Sequence, residues 1–290
     1  MESGKLETRL GPLAWQSSGT GPVLVFYAGA LANHDLWRDV IKPLKDHYRC
    51  VTVDLPLGAH PWPLNKGADR SAASLAGLIP DSLELLDLRD ATVVVNDTAG
   101  GQLLLSLASG HPALERVGRL VLTNCESYDQ FPPDSLKKAS QMSRAFPRLV
   151  RALTRLQMRL QLRWPGARRS GIGRVAATEL DRERVESFLV PAVHDRRVAG
   201  DLVAAMAGFR PQLLLDAAAE IPRFDKPVLL IWGEECRFFP MSHARRLASD
   251  FPHATLVPVP GAKTWVAVDN PAAVADAIAE FVPLDRKSVV

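Results

Sequence analysis

The chain predicts an α/β fold: a mostly parallel central sheet with helices on both faces and a helical cap inserted into it. Three observations carry this. Short apolar, β-branched runs alternate with helical segments, which is how parallel strands joined by crossover helices read. The alternation stops once, from about Tyr128 to about Pro211, where strands vanish and the sequence becomes helical and basic. Between those regions, Ala91-Thr-Val-Val-Val-Asn-Asp-Thr-Ala-Gly-Gly-Gln describes a strand, a sharp turn and a helix, with the Asp97 carboxylate at the apex.

Strands are expected at Val23 to Tyr27, Cys50 to Asp54, Thr92 to Asn96, Arg119 to Thr123, Pro227 to Trp232 and Ala254 to Val259. Helices are expected at Asp35 to Asp46, Ala72 to Asp87, Gly100 to Ser109, Ser242 to Asp250 and Ala272 to Phe281. Asp35 can cap the first of these, and Asn270-Pro271 supplies a cap and a first-turn proline for the last. The insertion falls after the fourth parallel strand. Residues 1–128 and 212–290 are therefore expected to form the core, and residues 129–211 a helical, Arg-rich cap.

A hydrophobic content of 47% in 290 residues allows a sizeable core. No apolar run approaches the roughly 18 residues a membrane span needs. Met1 to Leu10 lacks an apolar signal segment, so a cytoplasmic protein with no membrane span is expected. Cys50, Cys125 and Cys236 form no C-x-x-C pair, which argues against a disulfide framework or a metal site, and nothing points to a cofactor. The net charge of +3 is unevenly spread: Lys137 to Arg210 holds 16 Lys/Arg against 6 acids, leaving the remainder at −7. Arg144, Arg148, Arg151, Arg155, Arg159 and Arg163 recur at helical spacing, with Leu149, Leu153, Leu156 and Leu160 on another face. The plain reading is a solvated amphipathic helix whose leucines cover a pocket. The sharper one is an anionic partner: an acidic substrate, a carrier protein or a lipid surface. Nucleic acid is not expected, because no binding motif or basic-aromatic interleaving is present.

Asp97 would sit at the C-terminal edge of the sheet, where α/β enzymes keep their nucleophiles. Several further segments accompany it: Ala28-Gly29-Ala30, Asp54-Leu55-Pro56, Leu120-Val-Leu-Thr-Asn, Trp232-Gly-Glu-Glu-Cys-Arg-Phe-Phe-Pro and Asp269-Asn-Pro. Together they resemble the α/β-hydrolase fold, in the Asp-nucleophile branch that includes haloalkane dehalogenases and epoxide hydrolases. That resemblance implies a nucleophile that displaces a leaving group from carbon, and a His-activated water that hydrolyses the resulting ester, with a carboxylate orienting the His. On this pattern the acid position is Cys236 and the His position is at or beside Thr264, while no His follows His253. The resemblance thus implies a degraded triad. Ala30 and Thr98 occupy the positions whose backbone N–H groups form the oxyanion or halide pocket in relatives.

Glu126, just past a strand, is the candidate replacement acid, and His60 the candidate replacement base. Each also has a structural reading: Asp97 as a helix cap, Glu126 as a surface acid, His60 as a loop residue bonded to backbone, Cys236 as a packed thiol. His34 lies in the loop after Ala30 and stays open. Epoxide hydrolase relatives use cap tyrosines, yet the only tyrosines are Tyr27, Tyr48 and Tyr128. Dehalogenase relatives place Trp after the nucleophile, where this chain has Thr98, leaving Trp164 or Trp265 as possible substitutes. Three functions remain open for a small, largely apolar molecule. They are hydrolysis with a rebuilt triad, a lyase, isomerase or cyclase reaction using Asp97 as base or stabiliser, and binding without catalysis.

Overall fold

The computed structural model describes residues 1–284. Eight strands form one sheet: β1 (Glu2–Thr8), β2 (Gly11–Ser18), β3 (Val23–Tyr27), β4 (Arg49–Asp54), β5 (Ala91–Asp97), β6 (Val117–Cys125), β7 (Val228–Gly233) and β8 (Ala254–Val259). Their spatial order is β1-β2-β4-β3-β5-β6-β7-β8. β1 pairs with β2, and β2 with β4, antiparallel; every other pairing is parallel. The central strands are apolar at consecutive positions because both faces are covered. Val93 and Val95 of β5 pack into one core with Leu103 and Leu122, whereas Val94 faces the opposite core with Phe26, Trp37 and Trp265.

The bounds expected for β3 and β8 hold to the residue, β4, β5 and β6 extend beyond expectation by one, two and four residues, and β7 keeps its expected length but starts and ends one residue later, leaving Pro227 outside it. The β1–β2 hairpin was not foreseen from the sequence. β1 is an edge strand with one fully buried side chain, Leu6, so it lacks an alternating apolar signal. Asp35 does not cap the first helix. Asn33 caps a short 3₁₀ turn at His34–Leu36, and the α-helix runs over Arg38–Leu44. The expected helix at Ala72 to Asp87 divides at Gly77 into Ala72–Ala76 and Leu78–Leu85. Asn270 caps the helix Pro271–Phe281 as expected, its side chain accepting from Ala273 N–H at 3.1 Å.

Between β6 and β7 the chain passes through helices that include Lys137–Ala145, Pro147–Arg163, Arg182–His194 and Arg196–Gly208. Here the structure reverses one expectation. Leu149, Leu153 and Leu156 do not cover a pocket; each is about half exposed (50%, 53% and 51%). The inward face of that helix carries Val150, Thr154, Met158 and Gln161 instead. Among the described residues no single helix is long and apolar enough to cross a membrane.

Two glycines let the sheet edge close around Asp97. A Cβ on Gly29 would lie 2.5 Å from Asp97 Cβ and 2.6 Å from Thr98 N, and one on Gly100 would lie 2.3 Å from Cys125 Cβ. Replacing Gly29 by Ala is therefore expected to cost about 1–3 kcal/mol in chemical denaturation, as overpacking against backbone does. Gly166→Ala, which meets nothing within 4 Å, should stay within ~0.5 kcal/mol of the parent. Equal stability for the two variants would show that the close approach is not a constraint.

Candidate active site

β5 ends on Asp97 with φ +54° and ψ −129°, a backbone conformation that non-glycine residues rarely hold. The helix Thr98–Ser109 starts at the next residue, so the strand turns sharply into it. The Asp97 side chain does not cap that helix in the usual way; its Oδ1 accepts from the hydroxyl of the adjoining Thr98 at 3.4 Å. A register shift between Asn96 and Asp97 sets Asp97 opposite Cys125. Glu126 N–H then donates to Asp97 O at 3.4 Å, and both residues line the same cavity.

Two asparagines tie the neighbouring strand ends together. Asn96 Nδ2 donates to Thr264 O at 2.8 Å and to Thr123 Oγ1 at 3.0 Å. Asn124 accepts from Gly233 N–H at 2.7 Å and donates to Gly233 O at 3.2 Å. The ends of β5, β6, β7 and the loop after β8 are thereby held in one frame. Sequence reading did not single out these asparagines; the available signal was their place at the ends of two buried apolar runs, where an amide must find partners.

Asp97, Thr98 and Glu126 line a cavity of about 310 Å³. Its walls are mostly apolar, with Ala30, Met158, Leu202, Phe209 and Trp265 among them, and Arg174 contributes a cation missed by the sequence reading. Trp164, by contrast, is 59% exposed and does not line the cavity. Glu126 is buried, contrary to a surface reading, and its Oε2 has no hydrogen-bond partner. Burial lifts the Asp97 carboxyl above the usual carboxylate range, opposed by the Thr98 hydroxyl and N–H. Burial first, and then the neighbouring Asp97 charge, lift Glu126 well above that range. Two carboxyl groups in one desolvated site resist simultaneous ionisation, so they titrate as a pair.

The remaining candidates fall in two groups. Cys236, after β7, and Thr264, after β8, meet each other: Sγ and Oγ1 are 3.2 Å apart, and both side chains are buried. Burial raises the Cys236 thiol, so it stays protonated and packed. His60 lies elsewhere. Its Nδ1 accepts from Gly58 N–H at 3.2 Å, its Nε2 sits 3.3 Å from Asp201 Oδ2, and it does not line the cavity. Asp201 is held in turn by Arg70 at 2.6 Å and by Leu64 N–H at 2.9 Å, which makes this a closed structural network. His34 bonds to Asp54 at 2.9 Å and lines a different cavity. None of the residues lining the Asp97 cavity is a histidine.

The mostly parallel sheet with its antiparallel edge agrees with sequence and structure comparisons. The α/β hydrolase fold family matches residues 22–271, and the chain belongs to that family. It is 29% identical over 285 residues to haloalkane dehalogenase 2 of Mycobacterium tuberculosis (strain ATCC 25618 / H37Rv), covering 96% of this chain and 94% of the relative. It is also 29% identical over 274 residues to the magnesium-chelatase 30 kDa subunit of Rhodobacter capsulatus, covering 89% of this chain and 88% of the relative. Among solved structures, a haloalkane dehalogenase from Bradyrhizobium elkani USDA94 superposes with a TM-score of 0.74 at 14% identity, covering 96% of this chain and 97% of that one. An α/β hydrolase fold protein from Burkholderia ambifaria superposes with a TM-score of 0.76 at 22% identity, covering 96% and 97% of the two chains. These likenesses in structure establish the fold.

The raised carboxyls carry a stability cost with a definite sign. Below the unfolded-state pKa both states are protonated and the pair costs nothing. As pH rises past it the unfolded chain releases protons that the native site retains, so native stability falls until the raised values are passed. Each group contributes a slope of at most ~1.4 kcal/mol per pH unit within that window. Asp97→Asn combined with Glu126→Gln is therefore expected to be more stable than the parent at pH 8 and no more stable near pH 3, by urea denaturation. A constant difference across that range would contradict the raised values.

Proposed function

We propose that the chain is an enzyme acting on a small, largely apolar molecule, and that Asp97 and Glu126 together do its chemistry. The observation that carries this is a pair of buried carboxyl groups in the lining of a mostly apolar cavity whose lining holds no histidine. Residues 129–211 are read as the cap that closes this cavity over the core, since Met158, Leu202 and Phe209 come from that segment.

Near neutral pH such a pair holds one proton between its members. The ionised carboxylate accepts a proton from the substrate while its protonated partner donates one to a developing oxyanion or leaving group. The Ala30 and Thr98 N–H groups, at the mouth of the elbow, are read as the donors that would stabilise such a charge. Cys236 and Thr264 are read as the positions of a lost acid and His. Their side chains still meet, as an acid and a His would, but neither can activate water. This favours proton transfer, as in a lyase or isomerase, over two-step hydrolysis through a His-activated water.

A hydrolytic reading has its own support in the Asp97 elbow and in the relative named as a haloalkane dehalogenase. In that case Asp97 is alkylated and Glu126 must activate the water that releases the ester. Intact-protein mass spectrometry after exposure to alkyl halides and epoxides separates the two. Acid–base chemistry leaves the parent unmodified or arrested as an ester on Asp97, whereas rapid release of alcohol or diol marks hydrolysis.

For any substrate found in a panel of small haloalkanes, epoxides, esters and ketones, Asp97→Asn should abolish turnover, and Glu126→Gln should lower kcat by roughly 10²–10⁴. His60→Gln should leave kcat within about twofold at temperatures where the variant remains folded. Unchanged turnover in both carboxyl variants would end the proposal. Introducing Cys236→Asp together with Thr264→His should turn any trapped Asp97 ester into a released product. A persistent adduct in that double variant, with its fold intact, would argue against the assignment of those two positions.

A further inference from the structure

The helix Pro147–Arg163 has three distinct sides. One lines the Asp97 cavity through Val150, Thr154, Met158 and Gln161. A second exposes large apolar side chains at helical spacing: Phe146 at the N-terminal boundary (56%), then Leu149, Leu153 and Leu156, with Trp164 (59%) just beyond the C-terminus. The third carries exposed Arg148, Arg159 and Arg163. No Asp or Glu occurs from Lys137 to Thr178, and no carboxylate lies within 4 Å of those three guanidinium groups among the described residues. An exposed leucine stripe of this length is not solvated surface of the ordinary kind, because neighbouring leucines remove no apolar area from water by facing it together.

We propose that this face of the helix docks on an anionic lipid surface. Leu149, Leu153 and Leu156 would enter the boundary between headgroups and acyl chains, Trp164 would sit at headgroup level, and the arginines would meet lipid phosphates. Charge decides between possible occupants. A second copy would bring the same unpaired arginines against themselves, at a cost, whereas a surface of anionic headgroups complements them and accepts the leucines between them. Exposed Leu136 and Gln157 both line the Asp97 cavity, so its rim is shared with the docking face. An apolar molecule dissolved in the bilayer would then reach the cavity without crossing bulk water. The docking rests on the helix surface alone and does not depend on the chemistry assigned to Asp97.

Co-sedimentation of the full chain with vesicles tests this. Vesicles of phosphatidylcholine with phosphatidylglycerol should retain the protein at low salt, and phosphatidylcholine alone should bind it at least about tenfold more weakly. Binding should weaken at high salt. Leu149→Ser, Leu153→Ser and Leu156→Ser combined should lower affinity for the mixed vesicles about tenfold or more, as should Arg148→Gln, Arg159→Gln and Arg163→Gln combined. Both sets alter exposed side chains, so circular dichroism and melting should match the parent. Equal binding to neutral and anionic vesicles, or binding to neither, would overturn the proposal. So would a lipid-free dimer in sedimentation velocity that the leucine variant dissociates.

Discussion

Desolvation of two carboxyl groups at one edge of the sheet is the constraint from which the character of this protein follows. A carboxylate taken out of water without compensating donors is costly, and the usual outcome is that it keeps its proton. Asp97 has the Thr98 hydroxyl and N–H to moderate that cost, and Glu126 leaves one oxygen without a partner. A fold selected for stability alone would fill this site with apolar side chains or pair the acids with a cation. Arg174 reaches the same cavity, yet it forms no ion pair with either acid among the described residues. An unneutralised pair in a packed site is the observation on which the proposed chemistry rests.

The backbone around the pair is arranged to tolerate it. The positive φ at Asp97, the register shift that sets Asp97 opposite Cys125, and the close approaches of Gly29 to Asp97 and Gly100 to Cys125 all meet at the same end of the sheet. Asn96 and Asn124 then fix the strand ends on either side. The contact between Cys236 and Thr264 fits this frame: the loops after β7 and β8 converge there, and the groups they present are a thiol and a hydroxyl. A scaffold can keep its loop geometry while the side chains it presents vary.

Most of the sheet was legible in the sequence because its central strands are buried on both faces and read as unbroken Val, Leu and Ile runs ending in turn residues. The edge hairpin was not, since Glu2–Thr8 pairs through its backbone while exposing charged side chains that carry no strand signal. The elbow was equally plain, from one acidic residue at the end of an apolar run. Burial of Glu126 was not, because a one-residue register shift places it and no local pattern announces such a shift. The helix Pro147–Arg163 shows a different limit. Its period was evident, but the leucine side is the natural choice for the inward face, and the structure turns the mixed side of Val150, Thr154, Met158 and Gln161 inward. Periodicity locates a face without saying what the face meets.

The central claim is that the buried Asp97–Glu126 pair keeps a proton near neutral pH. Infrared difference spectroscopy of the carboxyl stretch, recorded across a pH titration for the parent and for Glu126→Gln and Asp97→Asn separately, addresses it most directly. The account predicts a protonated, buried carboxyl band at pH 7 in the parent that is lost or shifted in each single variant. A parent with both groups ionised at pH 7, titrating in the ordinary carboxylate range, would contradict it.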